Sequence, residues 1–364
     1  LCDGPGIHRV ESGSMTGVAG RPTPHDRSVA RMKALVTGAD GFVGQHLIAE
    51  LLDHGFSVAA SALDLPPSRS TLSSEQIASV DWKAADVRDR EALVRLVAAA
   101  MPDRIYHLAG FASGALARQF ASDAVHINVG GTVNLCEAVV SVRETHPAFD
   151  PRILVMGSCD AYGDAARDGL PLSEEMSLRP VSAYGLSKAG QELAAHTYRR
   201  AHGLRMLVVR GFNLVGPGQE PPFVVPEFAA QVARIANREI EALVKVGNLD
   251  VERDFTDVRD GVRALRLLMD LESPGAAYNV ASGRTIRIGT ILDWIVDEAG
   301  IEVEIEVVPS RVRREELAMV AGDTRRIRED TGWEPGRDVE ASVRETYRWI
   351  SGRYGRIETK GTVV

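Results

Sequence analysis

Cysteine is nearly absent: Cys2, Cys136 and Cys159 are the whole complement of a 364-residue chain. Their spacing offers neither a paired disulfide framework nor a thiolate metal site, which points to a reducing compartment, the cytoplasm. An excess of positive charge is lacking too. Lys and Arg number 42 against 50 Asp and Glu, a net charge of -8. That balance argues against nucleic acid or an anionic membrane as the main partner, while a phosphate-bearing ligand could still be met locally. No stretch approaches the roughly 20 apolar residues of a membrane span, and no internal repeat is visible. What remains, at 45% apolar and 25% charged residues, is a globular chain long enough for two domains. Residues 1–31 lack any apolar period. Rich in Gly, Pro, Ser, His and Arg, they are expected to be a disordered leader without the apolar core of a signal peptide, with Met32 as the natural beginning.

The ordered part is organised around KALVTGADGFVG, residues 33–44. Lys33 to Thr37 reads as a short buried strand, and a helix with Val43, Leu47, Leu51 and Leu52 on one face follows. Between them Gly38 would make the tight turn, Gly41 would let the backbone approach a pyrophosphate, and Gly44 would let the helix pack close to the sheet. Phe42 and Val43 open that helix, whose free amides would receive the phosphate charge. This predicts a site for NAD(H) or NADP(H). A second strand, SVAASAL, ends at Asp64, somewhat past the usual position of an acid on the adenosine ribose. Asp64 would favour NAD and Arg69 a 2′-phosphate; both stay open. Asp86 and Val87, at a third strand tip, could flank the adenine. Leu108 and Ala109 end the strand RIYHLA, whose small-residue tip would let a cofactor lie across the sheet. His107 and His126 have no metal-ligand spacing and read as core or cofactor-facing histidines.

Strand and helix alternate as far as LVVR (207–210), so the expected class is α/β, a Rossmann-like doubly wound parallel sheet with a smaller mixed α/β substrate-binding domain. Gly211 to Pro226, with four prolines and three glycines, reads as too broken for a continuous element. The expected partition is 32–212 for the dinucleotide domain, rejoined by 252–282. Residues 213–251 and 283–350 form the substrate domain, and 351–364 a frayed tail. The helical run Val125 to Val142 is apolar on more than one face, which suggests a sheet on one side and a partner on the other.

Tyr184 and Lys188 lie four apart on a predicted helix, hence on one face. Ser158 ends an earlier strand and could meet them in the crevice outside the sheet. A tyrosine is a poor acid or base at neutral pH, and a neighbouring ammonium would favour its phenolate. Ser158 could polarise the reacting oxygen, and Lys188 could hold the nicotinamide ribose.

With these residues in place, the chain resembles the extended short-chain dehydrogenases/reductases that act on nucleotide sugars. The resemblance rests on TGADGFVG (37–44), HLAG (107–110), NVGGTVNL (128–135), GSCDAYG (157–163), YGLSK (184–188) and RGFNLVGPGQ (210–219). Within that branch it is most similar to the GDP-4-keto-6-deoxy-D-mannose reductases, then to the GDP-mannose 4,6-dehydratases, through VGNLDVERDFTDVRD (246–260) and SRVRREE (310–316). The resemblance implies that Ser158, Tyr184 and Lys188 are catalytic, and that Asn213, Arg253, Arg313 and Glu316 grip the diphosphate, ribose or base of a GDP-linked sugar. It also implies a homodimer built through paired helices. Asp160 stands where the dehydratase carries a glutamate and the reductase an aspartate. The implied activity is NAD(P)H-dependent reduction of a 4-keto-6-deoxyhexose, giving GDP-D-rhamnose. A 4,6-dehydratase, a C4 epimerase and a non-catalytic dinucleotide sensor are the alternatives.

Overall fold

The computed structural model describes residues 31–63, 65, 70–169, 171–312 and 317–354. Nearly all of the expected leader lies outside the described residues, as do Asp64, Arg69, Arg313 and Glu316. The first half alternates strand and helix. It runs β1 (Lys33–Thr37), α1 (Phe42–Asp53), β2 (Ser57–Ala62), α2 (Ser74–Ala78), β3 (Asp81–Ala84), α3 (Arg90–Ala100) and β4 (Arg104–His107). Two short helices, α4 (Gly114–Ala117) and α5 (Ala121–Val125), lead through a π-helical turn at His126–Gly130 into α6 (Gly131–Thr145). Then come β5 (Arg152–Met156), α7 (Ala183–Ala201) and β6 (Arg205–Gly211).

These strands, joined later by β10 (Ala277–Val280), form one parallel seven-stranded sheet in the order β10-β6-β5-β4-β1-β2-β3. Helices cover both faces, so its central strands are apolar on both sides. In β1, Ala34 and Val36 pack in one core cluster with Leu47 and Leu51 of α1, whereas Leu35 packs in another with Leu93 of α3 and Leu135 of α6. The strand order reverses between β1 and β4, and a crevice opens beyond their carboxyl ends.

The second half builds a further layer. It contains β7 (Asn213–Val215), α8 (Val224–Ala236), β8 (Leu243–Val246), β9 (Glu252–Asp257), α9 (Val258–Leu268) and, after β10, β11 (Thr285–Arg287). The remainder is α10 (Ile288–Ala299), β12 (Glu304–Val307), β13 (Met319–Val320), α11 (Arg325–Thr331) and α12 (Val339–Tyr354). Strand β9 pairs with β7, β11 and β13, while β8 and β12 form a separate parallel pair. Helices α8, α10 and α12 share a core of their own, with Phe228, Ile291 and Val343 in it.

Several elements differ from expectation. Strand β7 lies inside the stretch read as broken. Strand β9, absent from the sequence reading, holds residues 252–257 in the small sheet, so the chain rejoins the large layer only with α9 and β10. Its charges explain the miss. Asp254 is buried, yet its carboxylate accepts from Ser282 N–H at 2.8 Å, Ser282 Oγ at 2.6 Å, Gly283 N–H at 2.9 Å and Gly322 N–H at 3.2 Å. Helix α12 continues to Tyr354, past the boundary expected at 350. Continuity across the π turn also makes Ala121–Thr145 a 25-residue helical run, long and apolar enough to cross a membrane by length and composition. Its buried Leu135, Cys136 and Val139 belong to the core between α3 and the sheet.

At Gly38, φ is +66°, a conformation that favours glycine. Gly44 has no room for a side chain, because a Cβ there would stand 2.4 Å from the Gly38 carbonyl oxygen. Gly44→Ala must therefore push α1 off the Gly38–Ala39 turn, an overpacking expected to cost about 1–3 kcal/mol. A urea unfolding midpoint equal to that of the parent would show that the turn yields without cost.

Candidate active site

A cleft of ≈ 1070 Å³ runs from the crevice above the large sheet to the second layer. Gly38, Gly41, Phe42, Val43 and Gly44 line one end of it, as do Asp86, Val87, Leu108 and Ala109. A Cβ at Gly38 would lie 2.7 Å from Ala109 Cα, so the turn sits directly on the tip of β4. Gly41 is the N-cap residue of α1, with the helix amides behind it. This cradle, bare of side chains and facing a helix N-terminus, fits a dinucleotide pyrophosphate. Asp86 is held by Arg88, whose guanidinium keeps its carboxyl below the usual range. Val87 is buried, and its carbonyl accepts from Asn134.

Ser158, Tyr184 and Lys188 meet at the mid-cleft. Ser158 follows β5 and accepts the Asp160 N–H at 3.2 Å. Helix α7 starts at a Ser182 cap, whose Oγ accepts the Gly185 N–H at 2.9 Å, so Tyr184 falls in the first turn and Lys188 one turn on. Gly185 explains the glycine after the tyrosine: a Cβ there would lie 2.4 Å from the Asp160 carbonyl oxygen. Only without that side chain can α7 press on the Ser158 turn. The Ser158 side chain is thereby brought near enough to Tyr184 to favour its ionised form.

The expectation that Lys188 lowers the tyrosine fails on geometry. Its Nζ stands 5.9 Å from the Tyr184 ring centre and donates instead to the Met156 carbonyl at 2.8 Å and Gln191 Oε1 at 2.9 Å. Burial, then the charge of Asp160, push the Tyr184 phenol well above its ordinary range, against the opposing influence of Ser158. Burial drags the Lys188 ammonium down to about 7. The tyrosine is thus an acid at rest. Cys159 beside them is also pushed up, by burial first and then by Asp160 and Asp254. That suits a small packed side chain rather than a nucleophile.

A buried ion pair fastens α7 behind the trio. Arg210 of β6 donates to both Glu192 oxygens, at 3.0 and 2.6 Å, to the Tyr162 hydroxyl at 2.9 Å and to the Glu174 carbonyl at 3.1 Å.

Asn213 and Arg253 line the far half of the cleft. Asn213 Nδ2 donates to the Asp254 carbonyl at 2.8 Å, and Arg253 to the carbonyls of Glu252 and Leu317. Arg313 and Glu316 lie outside the described residues, but Arg311 lines the cleft, donating to the Lys245 carbonyl at 2.8 Å and pairing with Glu227 at 3.3 Å. Sequence reasoning also missed Gln219 and Trp349, both on the cleft wall. Gln219 stood inside the GPGQ stretch, and Arg311 inside SRVRREE, so a signal existed for both. Nothing in the sequence marks Trp349.

Because the Lys188 pKa falls on folding, the unfolded chain binds the proton more tightly. The stability penalty is full below about pH 7 and fades as pH rises from about 7 to 10.5. Over that window the parent should gain stability relative to Lys188→Met, read as a widening difference in urea midpoints. A difference that does not vary with pH would mean that burial leaves the ammonium at its ordinary pKa.

Comparison with known proteins agrees with this geometry. The family model described as GDP-mannose 4,6 dehydratase matches residues 35–346. The chain is 32% identical over 312 residues to a GDP-6-deoxy-D-mannose reductase of Pseudomonas aeruginosa, covering 86% of this chain and 95% of that protein. It is 27% identical to a UDP-glucose 4-epimerase of Neisseria meningitidis, over 87% of this chain and 96% of that one. The solved structure of RMD from Pseudomonas aeruginosa complexed with NADPH superimposes with a TM-score of 0.72 at 31% identity, covering 88% of this chain and 99% of that one.

Proposed function

The chain belongs to the GDP-mannose 4,6-dehydratase family of NAD(P)-dependent nucleotide-sugar enzymes, and from that premise we propose that it reduces the 4-keto group of a GDP-linked 4-keto-6-deoxyhexose. The product in this reading is GDP-D-rhamnose. What supports it is the 32% identity to a GDP-6-deoxy-D-mannose reductase over 86% of this chain, together with Asp160, which stands where the resembled reductase carries an aspartate.

The glycine turn, Phe42, Val43, Leu108 and Ala109 hold NAD(P)H, with Asp86 and Val87 beside the adenine. When bound, the nicotinamide supplies the hydride for C4. Ser158 donates a hydrogen bond to O4 as negative charge grows there, and Tyr184 then delivers its proton to that oxygen. Lys188 holds the nicotinamide ribose. At Gly110 a Cβ would lie 3.6 Å from its Nζ, which places the ammonium on the floor of the cleft. Asn213, Arg253 and Arg311 supply the donors for the diphosphate.

A 4,6-dehydratase is the second reading, favoured by the Asp160 carboxylate, which faces the same space as Tyr184: a Cβ on Gly114 would lie 3.8 Å from each. An aspartate is one methylene shorter than the dehydratase glutamate, and a misplacement of about 1 Å can cost a hundredfold in rate. The chain is proposed to act as a homodimer, since Val181, Leu186 and Leu193 leave an apolar surface at the start and along the outer side of α7, with Phe120 and Val125 exposed at the ends of α5. Light scattering at micromolar concentration tests it, and a monomeric mass counts against it.

The activity test supplies either the 4-keto sugar nucleotide with stoichiometric NAD(P)H or GDP-mannose with catalytic NAD(P)⁺. Loss of reduced-cofactor absorbance with the ketone alone, and appearance of a 6-deoxyhexose, is the expected result. Turnover of GDP-mannose without net cofactor change would overturn it and assign Asp160 as an acid/base. Tyr184→Phe should lose roughly 10²–10⁴ in rate, whereas Asp160→Asn should leave reduction largely intact.

A further inference from the structure

Behind Lys188 runs a chain of polar side chains that no substrate or cofactor needs to touch. Gln191, Thr132, His107 and Thr37 are fully buried, each from a different element: α7, α6, β4 and β1. The contacts are Lys188 Nζ to Gln191 Oε1 at 2.9 Å, Gln191 Nε2 to Thr132 Oγ1 at 3.0 Å and Thr132 Oγ1 to His107 Nε2 at 3.2 Å. On the other side of the ring, His107 Nδ1 meets Thr37 Oγ1 at 2.9 Å, and that oxygen accepts the Ala109 N–H at 3.2 Å.

The direction of every bond follows from its first member. Lys188 Nζ donates to Gln191 Oε1, so Gln191 turns its amide N–H to Thr132. The Thr132 hydroxyl has its own acceptor, the Asn128 carbonyl at 2.8 Å, and cannot also donate to the imidazole. His107 Nε2 must therefore carry the hydrogen. Nδ1 is then a bare acceptor and takes the Thr37 hydroxyl proton, which leaves the Thr37 oxygen for Ala109. The other tautomer would turn the Thr37 hydroxyl away from Nδ1 and break the Thr132–Asn128 bond. A charged ring would also strip Thr37 of its acceptor, and burial already holds this imidazole far below its ordinary pKa, at about 3. In a dry interior each orphaned group is expensive, so the chain holds one arrangement.

Its two ends are functional ground. One is the ammonium of Lys188. The other is the backbone of Ala109, against which the Gly38 turn packs and on which the dinucleotide would lie. We propose that Gln191, Thr132 and His107, the last as a neutral Nε2–H tautomer, are positioning residues that fix the Lys188 ammonium relative to the cofactor floor. The proposal rests on Lys188 working beside the dinucleotide, as in the reading above. It differs from simple core satisfaction in one respect. A change in the middle of the chain should be felt in the orientation of Lys188, far more than in the affinity for the sugar.

Three measurements test it. ¹⁵N NMR of histidine-labelled unaltered protein, with and without NAD(P)H, should find His107 with Nε2 protonated and Nδ1 bare from about pH 6 to 8. An Nδ1–H tautomer, or titration in that range, overturns the chain. Thr132→Val keeps the shape and removes the hydroxyl, and Thr132→Ser restores it. With the 4-keto sugar nucleotide, Val should lower kcat by roughly tenfold or more at a KM for the sugar within about twofold of the parent, and Ser should bring kcat back to within about twofold. Unchanged kcat in Val, a loss confined to KM, or failure of Ser to restore would each refute the positioning role. Calorimetric titration with NAD(P)H should show weaker binding to Val and recovery in Ser; equal affinities in the two variants and the parent would refute the link to the cofactor floor. The NMR and titration need no sugar substrate, so they separate failure of this chain from failure of the proposed reduction.

Discussion

The site depends on α7 being held at one height and one rotation against the sheet, and the Arg210–Glu192 pair is what holds it. Both side chains are buried, and the guanidinium meets both carboxylate oxygens while also reaching Tyr162 and Glu174. Such a pair adds little net stability over an apolar contact of similar volume, but breaking it by removing one partner costs about 3–5 kcal/mol. Its value is geometric. Glu192 lies one turn beyond Lys188 and two beyond Tyr184, so a fork closed on Glu192 sets the height of both residues above the sheet. At the other end of the helix the close contact between Gly185 and the Asp160 carbonyl sets the rotation. A helix held at two points presents its hydroxyl and its ammonium in one place.

Within that frame, desolvation does most of the electrical work. It raises the phenol and lowers the ammonium, moving both toward their neutral forms. The phenol so raised stays protonated at neutral pH. The same environment makes Cys159 a poor nucleophile despite its place next to Ser158. Burial thus selects among the polar groups of the cleft which ones are ready to act.

Much of the fold was legible in the order of residues. β1 occupies the predicted stretch residue for residue, because a short apolar run ahead of a glycine turn reads as a buried strand. The glycine turn and the meeting of Ser158 with Tyr184 and Lys188 were legible for the same reason, since strand tips and helix spacing bring them together. Strand β9 was not. ERDFTD reads as a solvated stretch, and it became a strand because Asp254 finds four hydrogen-bond donors contributed by segments far along the chain. The inverted electrostatics of Tyr184 were hidden as well, because spacing reports that Lys188 is near but not where its hydrogens point. Trp349, on the outer cleft wall, has no local pattern that marks it.

Trp349 has one more consequence. It lies on α12, the last helix described, and the next turn of that helix carries Arg353, which stacks over the indole at 4.4 Å and pairs with Glu220 on the facing wall of the cleft. The width of the cleft at that point is therefore set by residues that belong to neither the nucleotide-binding sheet nor the proton-transferring trio. Substitution there can reshape that part of the cleft while Ser158, Tyr184 and Lys188 stay untouched.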